Sequence, residues 1–151
     1  MIRQMVVILI LAGSVLAQAQ ERAHRTPSVK PDAAPVFQEI ERGMAAGNPE
    51  SFAGLFGSTV ALRLRTQEQG IVSGNQARTI LSTFFVARRP VSFFFSRMAT
   101  RTAFPFATGA LVFVEKGSRR TSQVYVSLQL SGGRWRISQF NIYESSARIS
   151  D

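Results

Sequence analysis

The apolar positions of this chain change period several times, and each change marks an element. From Val36 to Gly47, Phe37, Ile40 and Met44 recur at helical spacing, with Glu39, Glu41 and Arg42 on the other side. Gly47-Asn48-Pro49 stops that helix, and Pro49 opens a second, short helix carrying Phe52, Leu55 and Phe56 before Gly57. The period then drops to two: Val60, Leu62 and Leu64 alternate with Ala61, Arg63 and Arg65, as in a strand with one wet face. Glu68-Gln69-Gly70 reads as a turn. Helical spacing returns with Ala77, Ile80, Leu81, Phe84 and Phe85. Ser73 and Gln76 have the spacing of a capping box at the start of this third helix. Arg88 and Arg89 suit the negative end of its dipole, and Pro90 disfavours helical geometry in the residue before it.

Four strands complete the pattern. Val91 to Met98 comes first, then Phe104 to Glu115 with Gly109 at an expected bulge. Lys116-Gly117-Ser118-Arg119 turns the chain into Thr121 to Leu130, where Val124, Val126, Leu128 and Leu130 alternate with polar partners. Ser131-Gly132-Gly133 is a tight turn, and Arg134 to Glu144 is the last strand. Trp135 and Ile137 point inward with one parity, Phe140 and Ile142 with the other, so a bulge is expected near Ser138-Gln139. Phe93, Phe94 and Phe95 are consecutive, and alternation must push at least one out of the core. Phe94 facing outward would suit a dimer interface, or cover by the C-terminal tail.

The predicted class is therefore α+β, in the order α-α-β-α-β-β-β-β. Three helices pack on a curved, mostly antiparallel sheet of about five strands, the economical way to bury these faces. That order resembles the nuclear-transport-factor-2-like (cystatin-like) cone, whose sheet wraps around its helices. The wording is more specific. Phe37-x-x-Ile40, then Gly47-Asn48 and Leu55-Phe56, followed by Gln76-Ala77, Phe84-Phe85 and Pro90, resembles the exported bacterial family called domain of unknown function 4783. The resemblance covers about Val36 to Glu144. It implies a fold and a compartment, with no activity attached. A His-x-Gly that it leads one to expect after the post-proline strand is replaced here by Met98, Ala99 and Thr100.

Upstream of the domain, Met1 to Ala19 reads as an export signal: Arg3, an apolar run from Met5 to Ala12, and Ala17-Gln18-Ala19 as the cleavage site. Cleavage after Ala19 is expected, with Ala17 as the alternative. The apolar run falls short of the ~20 residues of a membrane span, although an uncleaved anchor is the competing assignment. Gln20 to Pro35, with Pro27, Pro31, Pro35 and the chain's single histidine, His24, reads as a flexible tether. Residues 36–144 form the domain and 145–151 a tail. The expected location is the periplasm, with no stable membrane span once the leader is removed.

Composition narrows the chemistry. The 151 residues contain no cysteine, which excludes disulfides, thiolate zinc sites and a lipoprotein anchor. Eighteen Lys and Arg against nine Asp and Glu give a formal charge of +9, nearly all of it arginine. This excess either serves an anionic partner or reflects a GC-rich genome. Arg63 and Arg65 on the first strand, Arg134 and Arg136 on the last, and Arg97 and Arg101 near the phenylalanine strand are the candidates for an anionic partner. Nucleic acid is excluded as a partner by the leader. Tyr125, Gln139, Asn141 and Tyr143 are the candidates for lining a pocket, unless the tyrosines occupy the outer sheet face and Gln139 fills the bulge.

No catalytic residue is assigned, and no metal or cofactor is expected. Glycine-rich phosphate loops are absent, and the acids are sparse and unclustered. Cones of the ketosteroid isomerase type, which this fold resembles, use an inward carboxylate base. Only Glu115 and Glu144 lie on strands, both near strand ends. The expected function is thus a non-enzymatic binding or interaction module of the bacterial cell envelope. Its partner would be a small apolar ligand, an envelope protein or a second copy in a homodimer. The alternative is a small isomerase or lyase acting on an apolar molecule in the cone, with Glu115 or Glu144 as base.

Overall fold

The computed structural model describes residues 29–65 and 67–145, apart from the side chains of 67–69. The leader Met1–Ala19, the tether through residue 28 with His24, and the tail from 146 onward lie outside the described residues. The chain divides between Lys30 and Pro31, and all the elements belong to the unit that begins at Pro31. Helix α1 (Ala34–Ala45) buries Phe37, Ile40 and Met44 on one stripe, as their spacing requires. The second helix is a 3-10 helix, Pro49–Leu55, and Phe56 already begins strand β1 (Phe56–Leu64). Helix α2 (Gly74–Ala87) starts at the expected capping box. The Gln76 N–H donates to Ser73 Oγ at 3.1 Å, and the Ser73 N–H donates to Gln76 Oε1 at 2.9 Å. Ser73→Ala is expected to cost about 1 kcal/mol in urea unfolding, because it orphans a helical N–H.

The sheet has six strands rather than about five. Strand β2 (Gln67–Ser73) pairs antiparallel with β1, so the expected turn at Glu68–Gly70 is strand, and the hairpin turns earlier, at Arg65. Backbone pairing along the sheet edge makes this strand, and such pairing needs no apolar alternation to announce it. The remaining strands are β3 (Arg89–Ala99), β4 (Phe106–Glu115), β5 (Ser118–Ser131) and β6 (Arg134–Glu144). Their order across the sheet is β2-β1-β6-β5-β4-β3; β1 and β6 run parallel and every other pair antiparallel.

Of the register shifts in this sheet, two bear on the sequence reading. Ser127 faces Gln139 but Leu128 faces Ile137, so Ser138 is the extra residue at the bulge that the parity change required. In β3, Ser96 is the extra residue opposite Gly109 and Thr108. A Cβ on Gly109 would lie 2.2 Å from the Phe94 carbonyl oxygen, so only glycine lets the two strands approach here.

Helices α1 and α2 and the 3-10 helix cover one face of the sheet, and the space between is filled with aromatic rings. Phe52 stacks on Phe140 at 6.2 Å, Phe37 meets Phe95 edge-on at 5.7 Å, and Phe84 meets Phe113 at 6.3 Å. Phe37, Phe52, Phe113 and Phe140 are fully buried. Among the described residues, the middle of the cone is therefore solid. Among the described residues no helix is long and apolar enough to cross a membrane.

Candidate functional site

Strand alternation carries charge into the cone at one end. Glu115 follows Leu111 and Phe113 on the inward face of β4, and Glu144 follows Phe140 and Ile142 on the inward face of β6. On β5, Arg120 shares the inward parity of Ser122 and Val124. Alternation would send Arg65 outward beside Arg63. Instead Arg65 lies just past β1 with φ +56°, a left-handed conformation that returns its side chain to the inner side. The expected place of Arg65 on the wet face of the first strand is thus corrected by one backbone dihedral.

These residues form a network. Arg65 donates to Glu115 Oε2 at 2.9 Å and also to Glu144 Oε1. Arg88, at the C-cap of α2, forms an ion pair with Glu115 Oε1 at 2.9 Å and lies 4.4 Å over the ring of Phe84. Arg65 in turn sits 5.7 Å over Phe113. Glu115 is mostly buried, with 16% of its side chain exposed, whereas Glu144 is 50% exposed. The Nε atoms of Arg65 and Arg88 are buried without a hydrogen-bond partner. A cavity of about 300 Å³ opens here, lined by Leu64, Arg65, Phe84, Arg88, Glu115, Lys116, Arg120 and Glu144. Lys116 holds its place through the β4–β5 turn, where it and Gly117 both take positive φ (49° and 76°).

The electrostatics follow from these contacts. The hydrogen bond from Arg65 is the main influence holding the Glu115 carboxyl below the usual carboxylate range. Burial works against it, and the charges of Arg88, Arg65 and Arg120 add to the lowering. For Arg65, burial is the largest single influence and lowers its pKa, but the hydrogen bonds and charges of Glu115 and Glu144 raise it overall. Both partners are thus kept ionised. Among the described residues no group of three or more acids or histidines could hold a metal.

The other candidates from the sequence lie elsewhere. Tyr125, Gln139, Asn141 and Tyr143 share the sheet face opposite the helices, and none lines the charged cavity. Tyr125 stacks on Phe106 at 5.9 Å, and the buried Asn141 donates to the Tyr143 hydroxyl at 2.8 Å. Cross-strand pairing places Arg63, Asn141, Tyr125, Thr108 and Arg97 in one row. Arg63 and Arg97 stand at its two ends, four strand spacings or roughly 19 Å apart. They lie near Tyr143 and Phe106 respectively. Arg136 donates to the Gly54 carbonyl, and with Arg134 it lines a second cavity of about 460 Å³ beside Trp135. Arg101 is exposed in the β3–β4 connection. Of the six candidate arginines, only Arg65 reaches the charged cavity. Arg88, Lys116 and Arg120 were missed, although the inward parity of Arg120 was readable from the sequence.

A curved mixed sheet of six strands, folded over helices on one face and open at a polar end, defines an α+β protein of the nuclear-transport-factor-2-like, cystatin-like class. Solved structures agree on that fold. A DUF4783 family protein from Bacteroides uniformis superposes with a TM-score of 0.66 at 16% identity, covering 73% of this chain and 97% of the other. The protein Rd1NTF2_04 with long sheet gives 0.60 at 13% identity, over 73% and 98%. A protein of unknown function with a cystatin-like fold from Nostoc punctiforme gives 0.53 at 14% identity, over 76% and 89%. The model of the domain of unknown function DUF4783 matches residues 37–143, and the chain belongs to that family. No curated protein matches its sequence.

Proposed function

We propose that the protein is an exported, non-enzymatic binding module of the bacterial cell envelope, with the arginine-lined cavity as its recognition site. The engagement of Glu115 carries this reading: its two oxygens are each committed to a different arginine. A carboxylate held low by guanidinium groups is a poor proton acceptor near neutral pH, which disfavours the isomerase or lyase alternative. The other strand acid, Glu144, is likewise engaged by Arg65. The cone's interior is packed with phenylalanine, and the cavity walls are charged, so a polar ligand fits better than an apolar one. The leader pattern of Met1–Ala19 supports export. Phe94, 57% exposed on the outer face between buried Phe93 and Phe95, suits contact with an envelope protein or a second copy.

Native mass spectrometry of the protein recovered from the envelope fraction tests this reading. The expected species begins at Gln20 and retains a small molecule or a protein partner. A full-length species that begins at Met1 and is confined to the cytoplasm would overturn it.

A further inference from the structure

The cavity at the end of the cone is unevenly charged. Arg65, Arg88, Lys116 and Arg120 face it with four positive charges, and Glu115 and Glu144 answer with two negative ones. Glu115 is spent on Arg65 and Arg88, one oxygen each. Among the described residues, Lys116 and Arg120 make no ion pair. The lining therefore carries a net charge of two positives in a concave space, which draws in an anion, with Lys116 and Arg120 exposed at its mouth. The space is also small: about 300 Å³ is roughly ten times the share of one water in the liquid. Leu64 and Phe84 supply the apolar part of its lining.

The two acids are not equivalent. Glu115 is mostly buried and doubly engaged, while Glu144 is half exposed, meets one arginine, and occupies the last position of β6. Its side chain can leave Arg65 for solvent by a rotamer change, with the β5–β6 pairing of Glu144 to Ser122 intact. The carboxylate of Glu144 thus occupies the position on Arg65 that an external carboxylate or phosphate would take, and arginine forks suit both groups.

We propose that this cavity binds a small carboxylate- or phosphate-bearing anion, and that Glu144 is a built-in stand-in which the ligand displaces from Arg65. Arg65 and Arg88, fixed by Glu115, form the rigid half of the site. Lys116 and Arg120 supply the free charge that attracts the ligand. Displacement of Glu144 sets the affinity, because the ligand gains only the difference between its own contacts and those of Glu144. This inference rests on the binding-module reading and names its ligand class.

Calorimetric titration of the mature chain with inorganic phosphate and with glutarate tests it, in wild type, Glu144→Gln, Lys116→Ala/Arg120→Ala and Glu50→Gln. Glu50 pairs with Arg78 at 3.1 Å, away from the cavity, and controls for net charge alone. Glu144→Gln is expected to bind at least one of the two anions about tenfold more tightly than wild type. The Lys116/Arg120 variant is expected to lose about tenfold, and Glu50→Gln to match wild type. Tighter glutarate binding assigns the carboxylate class, and tighter phosphate binding the phosphate class. An equal gain in Glu50→Gln, or no binding of either anion by wild type and Glu144→Gln at millimolar concentration, overturns the proposal. Those failures leave the envelope reading intact, because the mass of the exported species is measured independently of anion affinity.

Discussion

Phe140→Ala is expected to lower folding stability by about 3–5 kcal/mol, the range for deleting a fully buried aromatic side chain. Phe140 has no exposed surface, stacks on Phe52 with an interplanar angle of 7°, and lies 6.4 Å from the ring of Phe56. Its strand is held between β1 on one side, through Leu62, and β5 on the other, through Val126. The surrounding backbone is thus fixed by two ladders and cannot collapse into the vacated volume, which puts the cost near the top of the range. Against the roughly 5–15 kcal/mol that holds a domain of this kind folded, this is a large fraction. Urea unfolding of the two proteins, compared at constant m, measures it. A loss below about 1 kcal/mol would show that Phe52 and Phe56 repack to fill the gap.

Glu115→Gln is expected to cost about 2 kcal/mol near neutral pH, because it removes a charge that two guanidinium groups share and leaves them facing each other. The effect carries a pH signature with a definite sign. In the folded protein the Glu115 carboxyl is held below its usual value, mainly by the Arg65 hydrogen bond, so the unfolded chain binds its proton more readily. Its contribution is therefore fully present above the unfolded carboxylate pKa of about 4.3, and is lost as pH falls through the lowered folded value. Wild-type stability should fall on that acid side more steeply than that of Glu115→Gln, and the two curves should converge at low pH. Denaturant midpoints measured from neutral pH into the acid range test this. Parallel curves would mean that Glu115 does not hold the network together.

Much of the fold was legible because local signals agreed with the final packing. The last strand, Arg134–Glu144, and its bulge followed from a parity change that only an extra residue could reconcile. Helix α2 followed from Ser73, Gln76 and an apolar stripe. Strand β2 was not legible, since Gln67-Glu68-Gln69-Gly70 has neither alternation nor β-branched residues, Ile71-Val72 alone is too short a run to mark a strand, and its ladder to β1 is a backbone property. The second helix was read correctly in place but not in kind: Pro49–Leu55 winds as a 3-10 helix that delivers Phe56 directly into β1.

The site divides the same way. Glu115 and Glu144 were identifiable as the acids on the predicted strands, yet they stand 29 positions apart in a chain that says nothing of their distance. The sequence by itself determined the order of every element except β2, the inward faces of the strands it predicted and the presence of a large aromatic core, because those follow from periodicity and turn chemistry. Only the tertiary structure decided that the parallel pairing of β1 with β6 and the left-handed turn at Arg65 would carry one guanidinium to both acids. Side-chain alternation is local and can be read along a strand, whereas a charge network is closed by the path of the whole chain.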